Sequence, residues 1–148
     1  MAAHDYHVGI LGATGAVGQT FIRLLADHPW FTVAEVAASE RSAGHSYREA
    51  ANWLSGKPIP PAVSDLTVKP TRPDELDCDF VFSGLSSSVA GEVERAFAEA
   101  GDPVISNAKN YRMHEDVPLL LPEVNPDHSA LIDKQDWGSD GFIVTNPN

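Results

Sequence analysis

The first run of apolar, β-favouring residues is Tyr6 to Leu11, and Gly12 ends it. From Ala16 the spacing becomes that of a helix, with Val17, Phe21, Leu24 and Leu25 on one face until Pro29 closes the segment. A second strand, Thr32 to Ala38, follows at once. Strand, glycine turn, helix and strand form a βαβ unit. Crossovers of this kind are right-handed and join parallel strands, so the predicted class is α/β.

Between Glu40 and Pro73 the pattern weakens around Gly44, Gly56, Pro58, Pro60 and Pro61; the segment reads mostly as loop, with Leu66 to Lys69 as a short strand. Asp79 to Leu85 is a strong strand, because Phe80, Val81 and Phe82 form a continuous apolar run. It leads through Ser86, Ser87 and Ser88 into a helix with Val89, Val93, Ala96, Phe97 and Ala100 inward and Gly101 as its terminator. Glu92, Glu94 and Glu99 fall off that stripe and read as a solvated face. Val104 to Ser106 is the next strand. A polar stretch, Asn107 to Asp116, and an apolar run, Pro118 to Val124, precede a short helix with Asn125 as N-cap and Pro126 in its first turn. Phe142 to Thr145 is the last strand. Five or six strands alternating with helices or loops predict a doubly wound, mostly parallel sheet in a single domain over residues 1–148.

Composition narrows what this domain can meet. Its 148 residues fit one domain at the usual ~100–200, and no apolar stretch approaches the ~18 residues of a membrane span. Twenty-one acidic against ten basic residues give a net charge of -11, which repels nucleic-acid backbones and anionic lipid. Neither nucleic acid nor membrane is expected as a partner, and a polyanionic ligand needs a local site. Cys78 is the sole cysteine, so no internal disulfide forms; the opening Met1 to Asp5 has no signal-peptide character, and a cytoplasmic location is expected. Cys78 precedes its strand at the amino end and reads as a structural thiol. The six histidines, at positions 4, 7, 28, 45, 114 and 128, show no metal-ligand spacing and no pairing with a nucleophile, and each reads as a surface or turn residue.

Candidate chemistry starts at the first turn. Gly12-Ala13-Thr14-Gly15-Ala16-Val17-Gly18 is a G-x-x-G-x-x-G variant of the dinucleotide fingerprint, placed after a strand and opening a helix, as a Rossmann-type site requires. Gly12 permits the turn, Gly15 lets backbone approach a pyrophosphate, and Gly18 lets helix and strand pack closely. Amides from Thr14 to Val17 then face an anion with the helix dipole behind them, so no lysine is needed. At the end of the second strand, where an acid would hold a ribose 2′-hydroxyl, stands Ser39, followed by Glu40, Arg41 and Ser42. An arginine flanked by hydroxyls favours NADP(H) over NAD; Glu40, with its carboxylate turned inward, would suit NAD. Ser86 to Ser88 can contact ribose or nicotinamide, or one of them is simply the N-cap.

Six blocks carry a resemblance. They are Gly12 to Gln19, Ala38 to Gly44, Asp79 to Leu85, the block Ser106-Asn107-Ala108-Lys109-Asn110-Tyr111-Arg112-Met113, Pro118 to Asn125, and Asn146-Pro147-Asn148. In order, over nearly the whole chain, they are similar to the aspartate-semialdehyde dehydrogenases of the archaeal and fungal type. The resemblance implies an NADPH-dependent reductive dephosphorylation of β-aspartyl phosphate to aspartate semialdehyde, on the branch leading to lysine, threonine and methionine. It implies a cysteine thioester whose nucleophile follows Asn148 directly, so no catalytic residue is expected in this chain, which alone should bind cofactor and catalyse nothing. It also implies cofactor contacts from Ser83 and Gly84, phosphate binding by Arg112 with Asn107 and Lys109 beside it, and a homodimer or homotetramer for the full-length protein. Small-molecule substrate and inorganic phosphate are the implied partners. An ion pair with Glu115 or Asp116 is the plain alternative for Arg112. Alternative functions are reduction of N-acetyl-glutamyl phosphate or malonyl-CoA by the same thioester logic, and a non-enzymatic NADP(H)-sensing module.

Overall fold

The computed structural model describes residues 5–148, so His4 lies outside the described residues. Six strands form one sheet: β1 (Tyr6–Leu11), β2 (Phe31–Ala38), β3 (Val68–Pro70), β4 (Phe80–Ser83), β5 (Val104–Ser106) and β6 (Ile143–Thr145). Their order is β3-β2-β1-β4-β5-β6, and every neighbouring pair is parallel. The chain winds outward from β1 to β3, returns to the middle at β4, and winds outward the other way. This doubly wound α/β sheet opens a crevice between the carboxyl ends of β1 and β4, where the winding reverses.

Helix α1 (Ala16–Leu25) joins β1 to β2, and α4 (Ser87–Ala100) joins β4 to β5. The central strand is buried on both faces. Val8 and Ile10 enter a core cluster with Ile22, Val36 and Val68, and Leu11 enters a second one with Val81, Phe97 and Ile143. Alternation along β1 thus divides one apolar run between two helical layers.

Two helices are rotated from the expected phase. In α1 the buried residues are Gly18, Gln19 and Ile22, while Val17 is 38% and Leu24 65% exposed. Gly18 sets this phase: a Cβ there would overlap the Gly12 carbonyl, so the bare residue must face the turn and its neighbour Val17 is turned outward. In α4 the buried residues are Ala90, Glu94, Phe97 and Ala98, whereas Val89 and Ala100 are exposed. Glu94 is fully buried and does not join Glu92 and Glu99 on the solvated face. Gly101, at φ +100°, ends α4 in the left-handed conformation as expected.

The segment read mostly as loop holds more order than its pattern suggests. Helix α2 (Tyr47–Ala50) starts on a capping box between Ser46 and Glu49, and α3 (Pro61–Ser64) starts on its own proline. Tyr47 is completely buried, and its hydroxyl donates to the Ala13 carbonyl at 2.7 Å, so a four-residue helix braces the glycine turn from behind. Residues Pro126–Lys134 form a 3₁₀ helix. Asn125 precedes it without capping it; its side chain instead accepts from the Leu121 N–H and donates to the Leu119 carbonyl. Cys78 packs half-buried on the second core cluster at the amino end of β4, and burial, reinforced by the Asp102 carboxylate, pushes its thiol up to about 12.

Removing the Tyr47 hydroxyl leaves a buried carbonyl without that donor. Tyr47→Phe should lower the unfolding free energy by about 1–2 kcal/mol with an unchanged urea m-value, measured by chemical denaturation.

Candidate functional site

The crevice at the strand ends is an open cleft of about 610 Å³. Its floor is the turn from Gly12 to Val17. Gly12 turns the chain at φ +71°, held by the Gly15 N–H donating to its carbonyl at 3.1 Å and by the Ala13 N–H donating to Ala37 of β2 at 3.0 Å. The backbone at Gly84 lies directly against this turn: a Cβ on Gly12 would come within 2.9 Å of the Gly84 carbonyl oxygen. Three stretches of main chain therefore meet without intervening side chains, and the space in front of them is free for a ligand.

The floor is chemically prepared for an anion. Ala16 and Val17, in the first turn of α1, have no intrahelical acceptor for their N–H groups, and the Thr14 N–H donates to no carbonyl among the described residues. The capping position, Gly15, contributes no side-chain bond. Free donors at the positive end of a ten-residue helix face a cleft into which no side chain intrudes from the turn's glycines, so the residues present fit a dinucleotide pyrophosphate.

Of the residues expected at a cofactor site, the cleft brings together Gly12, Thr14, Gly15, Ala16, Val17, Ser39, Gly84 and Ser86. Three others fall elsewhere. Arg41 and Ser42 ride a turn closed by the Ser42 and Ala43 N–H groups on the Ser39 carbonyl, outside the cleft wall. Ser83 is buried beneath it, its hydroxyl donating to Glu94 Oε1 at 2.7 Å. Ser86 occupies the N-cap position of α4 without capping it, its hydroxyl 2.8 Å from that of Ser88. Thr71 and Arg72 line the cleft beside Ser39 and Glu40, although neither was expected there. Thr71 donates its hydroxyl to the Ala38 carbonyl at 3.0 Å, which brings the exits of β2 and β3 together. Only the pairing of β3 with β2 could have pointed to them.

A second polar cluster lies at the exits of β5 and β6. Arg112 donates through Nη2 to the Asn107 carbonyl at 2.8 Å, and Asn146 donates through Nδ2 to Asn107 Oδ1 at 3.1 Å. Arg112 Nε and Asn146 Oδ1 are buried without a hydrogen-bond partner, so the cluster keeps one donor and one acceptor open. Arg112 is in no ion pair among the described residues; neither Glu115 nor Asp116 claims it. Lys109 is exposed.

Glu94 joins the two regions. Its Oε1 accepts the Ser83 hydroxyl from β4 at 2.7 Å and the Ser106 hydroxyl from β5 at 2.6 Å, and Ser106 in turn accepts the Ala108 N–H at 3.0 Å. Its neighbour Val93 lines the cleft, and Ser106 leads directly into Asn107. Burial raises the pKa of this carboxyl, and the two serine hydroxyls offset part of that rise.

The described histidines take no part: His7, His45, His114 and His128 are exposed, and His28 stacks on Phe31 with centroids 4.6 Å apart. Among the described residues no group of three or more His, Cys, Asp or Glu is placed to hold a metal. No helix among them is long and apolar enough to cross a membrane.

Residues 7–132 match the family described as semialdehyde dehydrogenase, NAD binding domain. Over 145 residues the chain is 54% identical to the aspartate-semialdehyde dehydrogenase of Archaeoglobus fulgidus, the match covering 97% of this chain and 42% of that protein. It is 51% identical over 144 residues to that of Aspergillus fumigatus, covering 95% and 40% respectively. A crystal structure of aspartate-semialdehyde dehydrogenase with NADP from Candida albicans superposes with a TM-score of 0.89 at 44% identity, covering 97% of this chain and 42% of that one. The chain spans about two-fifths of the length of these relatives.

Glu94 generates a pH prediction. A carboxyl whose folded pKa is raised stabilises the fold fully below its unfolded value, near 4.5, and that contribution is lost as pH rises through the folded value. Glu94→Gln cannot ionise. Its stability relative to the unaltered chain should therefore rise with pH above about 4.5, with a slope of at most ~1.4 kcal/mol per unit, in urea melts from pH 4.5 to 8. A flat difference would count against the buried-acid account.

Proposed function

The chain belongs to the semialdehyde dehydrogenase NAD-binding domain family, and on that premise we propose that it is the NADP(H)-holding domain of an aspartate-semialdehyde dehydrogenase. One observation carries this reading furthest. The glycine turn presents unpaired N–H groups at a helix start to a cleft kept clear by backbone-to-backbone packing. An acidic chain of net charge -11 thereby gains a local site for a pyrophosphate without surrounding it with lysines.

The division of labour follows the cleft's walls. Thr14, Ala16 and Val17 bind the pyrophosphate through their amides, while Gly15 lets it approach. The Ser39 side of the cleft takes the adenosine ribose, and Gly84 and Ser86 take the nicotinamide half. Val89, Val93 and Leu85 supply an apolar wall that excludes water beside the reacting ring. When bound, the nicotinamide supplies hydride transfer. Arg112, with an unpartnered buried Nε, stands ready for an acyl phosphate, the fork of a guanidinium matching its oxygens, while Asn146, with an unpartnered Oδ1, offers an acceptor to a donor group of the substrate. Asn107 orients both, through its carbonyl and its side-chain oxygen. A module that only sensed cofactor would have no use for this second cluster.

Cys78 is not the nucleophile in this reading. It lies at the amino end of β4, away from the cleft, and its thiol stays protonated at neutral pH. With the proposal go the remaining expectations for the full-length protein: reductive dephosphorylation of β-aspartyl phosphate to aspartate semialdehyde with release of inorganic phosphate, a cytoplasmic location, and a homodimer or homotetramer.

Calorimetric titration of the chain tests the reading. NADP should bind at one site. Gly15→Val should weaken that binding roughly tenfold or more, because its side chain stands where the pyrophosphate approaches while its Cβ, 3.5 Å from the Gly12 carbonyl oxygen, fits without strain. Absence of NADP binding at millimolar concentration would overturn it.

A further inference from the structure

Two consecutive carbonyls of the glycine turn are held by side chains that do not line the cleft. The Ala13 carbonyl accepts the Tyr47 hydroxyl at 2.7 Å, and the Thr14 carbonyl accepts from Gln19 Nε2 at 2.9 Å. No backbone N–H among the described residues donates to either oxygen. Tyr47 is completely buried and Gln19 only 5% exposed. Burial pushes the pKa of the Tyr47 hydroxyl up, so it stays a donor at neutral pH.

Gln19 is engaged on every side. Its Nε2 also donates to the Asn52 carbonyl at 2.9 Å, and its Oε1 accepts the Leu54 N–H at 2.8 Å. The turn is therefore tied from behind to one segment at two places, to α2 through Tyr47 and to the backbone of Asn52 and Leu54 through Gln19. None of the residues from Ser46 to Leu54 lines the cleft. A trans peptide unit is planar, and its C=O points opposite to the N–H that follows. Drawing the Ala13 carbonyl toward Tyr47 turns the Thr14 N–H the other way, and this is the N–H that meets no carbonyl, on a residue that does line the cleft. The next unit is pinned at both ends, its carbonyl by Gln19 and its N–H, that of Gly15, by the Gly12 carbonyl at 3.1 Å.

We propose that Tyr47 and Gln19 are positioning residues for the cofactor pyrophosphate: they fix two successive peptide planes so that the Thr14 N–H faces the ligand and the Ala13 and Thr14 carbonyl oxygens are kept from it, an assignment that rests on reading the cleft as an NADP(H) site. Freed of these donors, either carbonyl gains by turning toward water in the cleft. A phosphate would then meet a lone pair where it had met a donor. The segment from Ser46 to Leu54 thus sets the affinity for a ligand that it does not touch.

Titration calorimetry with NADP, joined to amide-resolved NMR of the same samples, decides the matter. Tyr47→Phe should weaken NADP about fivefold, and Gln19→Met, which keeps the volume and removes the amide, about tenfold or more. Val33→Ala, a cavity-forming change in the amino half of β2 away from the turn, serves as the destabilised control and should leave NADP within about twofold. In the unaltered chain NADP should move the Thr14 amide proton downfield, as a phosphate acceptor does, and in both turn variants that movement should shrink. Should Gln19→Met fail to fold, Tyr47→Phe, which loses a single oxygen, carries the test. Unchanged NADP affinity in either turn variant that folds would overturn the assignment, as would equal weakening by Val33→Ala or a Thr14 amide that ignores bound NADP. A chain that binds no NADP sinks the cleft reading and this assignment with it, whereas one that binds NADP regardless of Tyr47 and Gln19 sinks this assignment alone.

Discussion

Main chain touching main chain at Gly12, Gly18 and Gly84 is the constraint on which the rest of this domain depends. With no side chain between them, the β1 turn, the first turn of α1 and the exit of β4 form one rigid corner. The corner decides which face of α1 looks inward, because Gly18 alone is small enough to meet the Gly12 carbonyl. It also decides where the cleft lies, since amides that cannot pair within the helix are left on its open side. Tyr47 reinforces the corner from the opposite side through Ala13. Fold and site are consequences of one close contact.

A second dependence runs through Glu94. A carboxyl in an apolar helix face is costly unless something binds it, and here paired strand ends supply two hydroxyls, Ser83 and Ser106, which are register partners in the sheet. The acid ties α4 to both strands at the level where the cleft ends and the Asn107, Arg112 and Asn146 cluster begins. Its remaining oxygen, Oε2, is buried without a partner, and burial inclines the carboxyl to keep its proton.

What could be read in the residues followed from strong local signals. Phe80 to Phe82, Tyr6 to Leu11 and the glycine turn are patterns with a single reading, and the alternation of strands with helices followed from them. The helices' rotational phase was harder. Val17 and Val89 look like core residues on a helical wheel, yet they are exposed on α1 and α4 because a bare glycine and a satisfied glutamate hold the inner positions. Hydrophobicity alone cannot register either cause. Arg72 was invisible for a different reason: its place in the cleft comes from the pairing of β3 with β2, a contact between segments about thirty residues apart, and β3 is only three residues long. Asn125 has the composition of a cap, but the Leu119 to Leu121 backbone engages its side chain first.

The thiol of Cys78 has a use that its chemistry in the folded state does not suggest. Held half-buried at the amino end of β4 with its pKa near 12, it offers almost no thiolate to a reagent while the sheet is intact. Because it is the chain's one cysteine, any alkylation that does occur reports a loosening of the segment that leads into β4. The molecule thus carries its own clock: the rate at which that single sulfur is labelled measures how often the entry to β4 loosens.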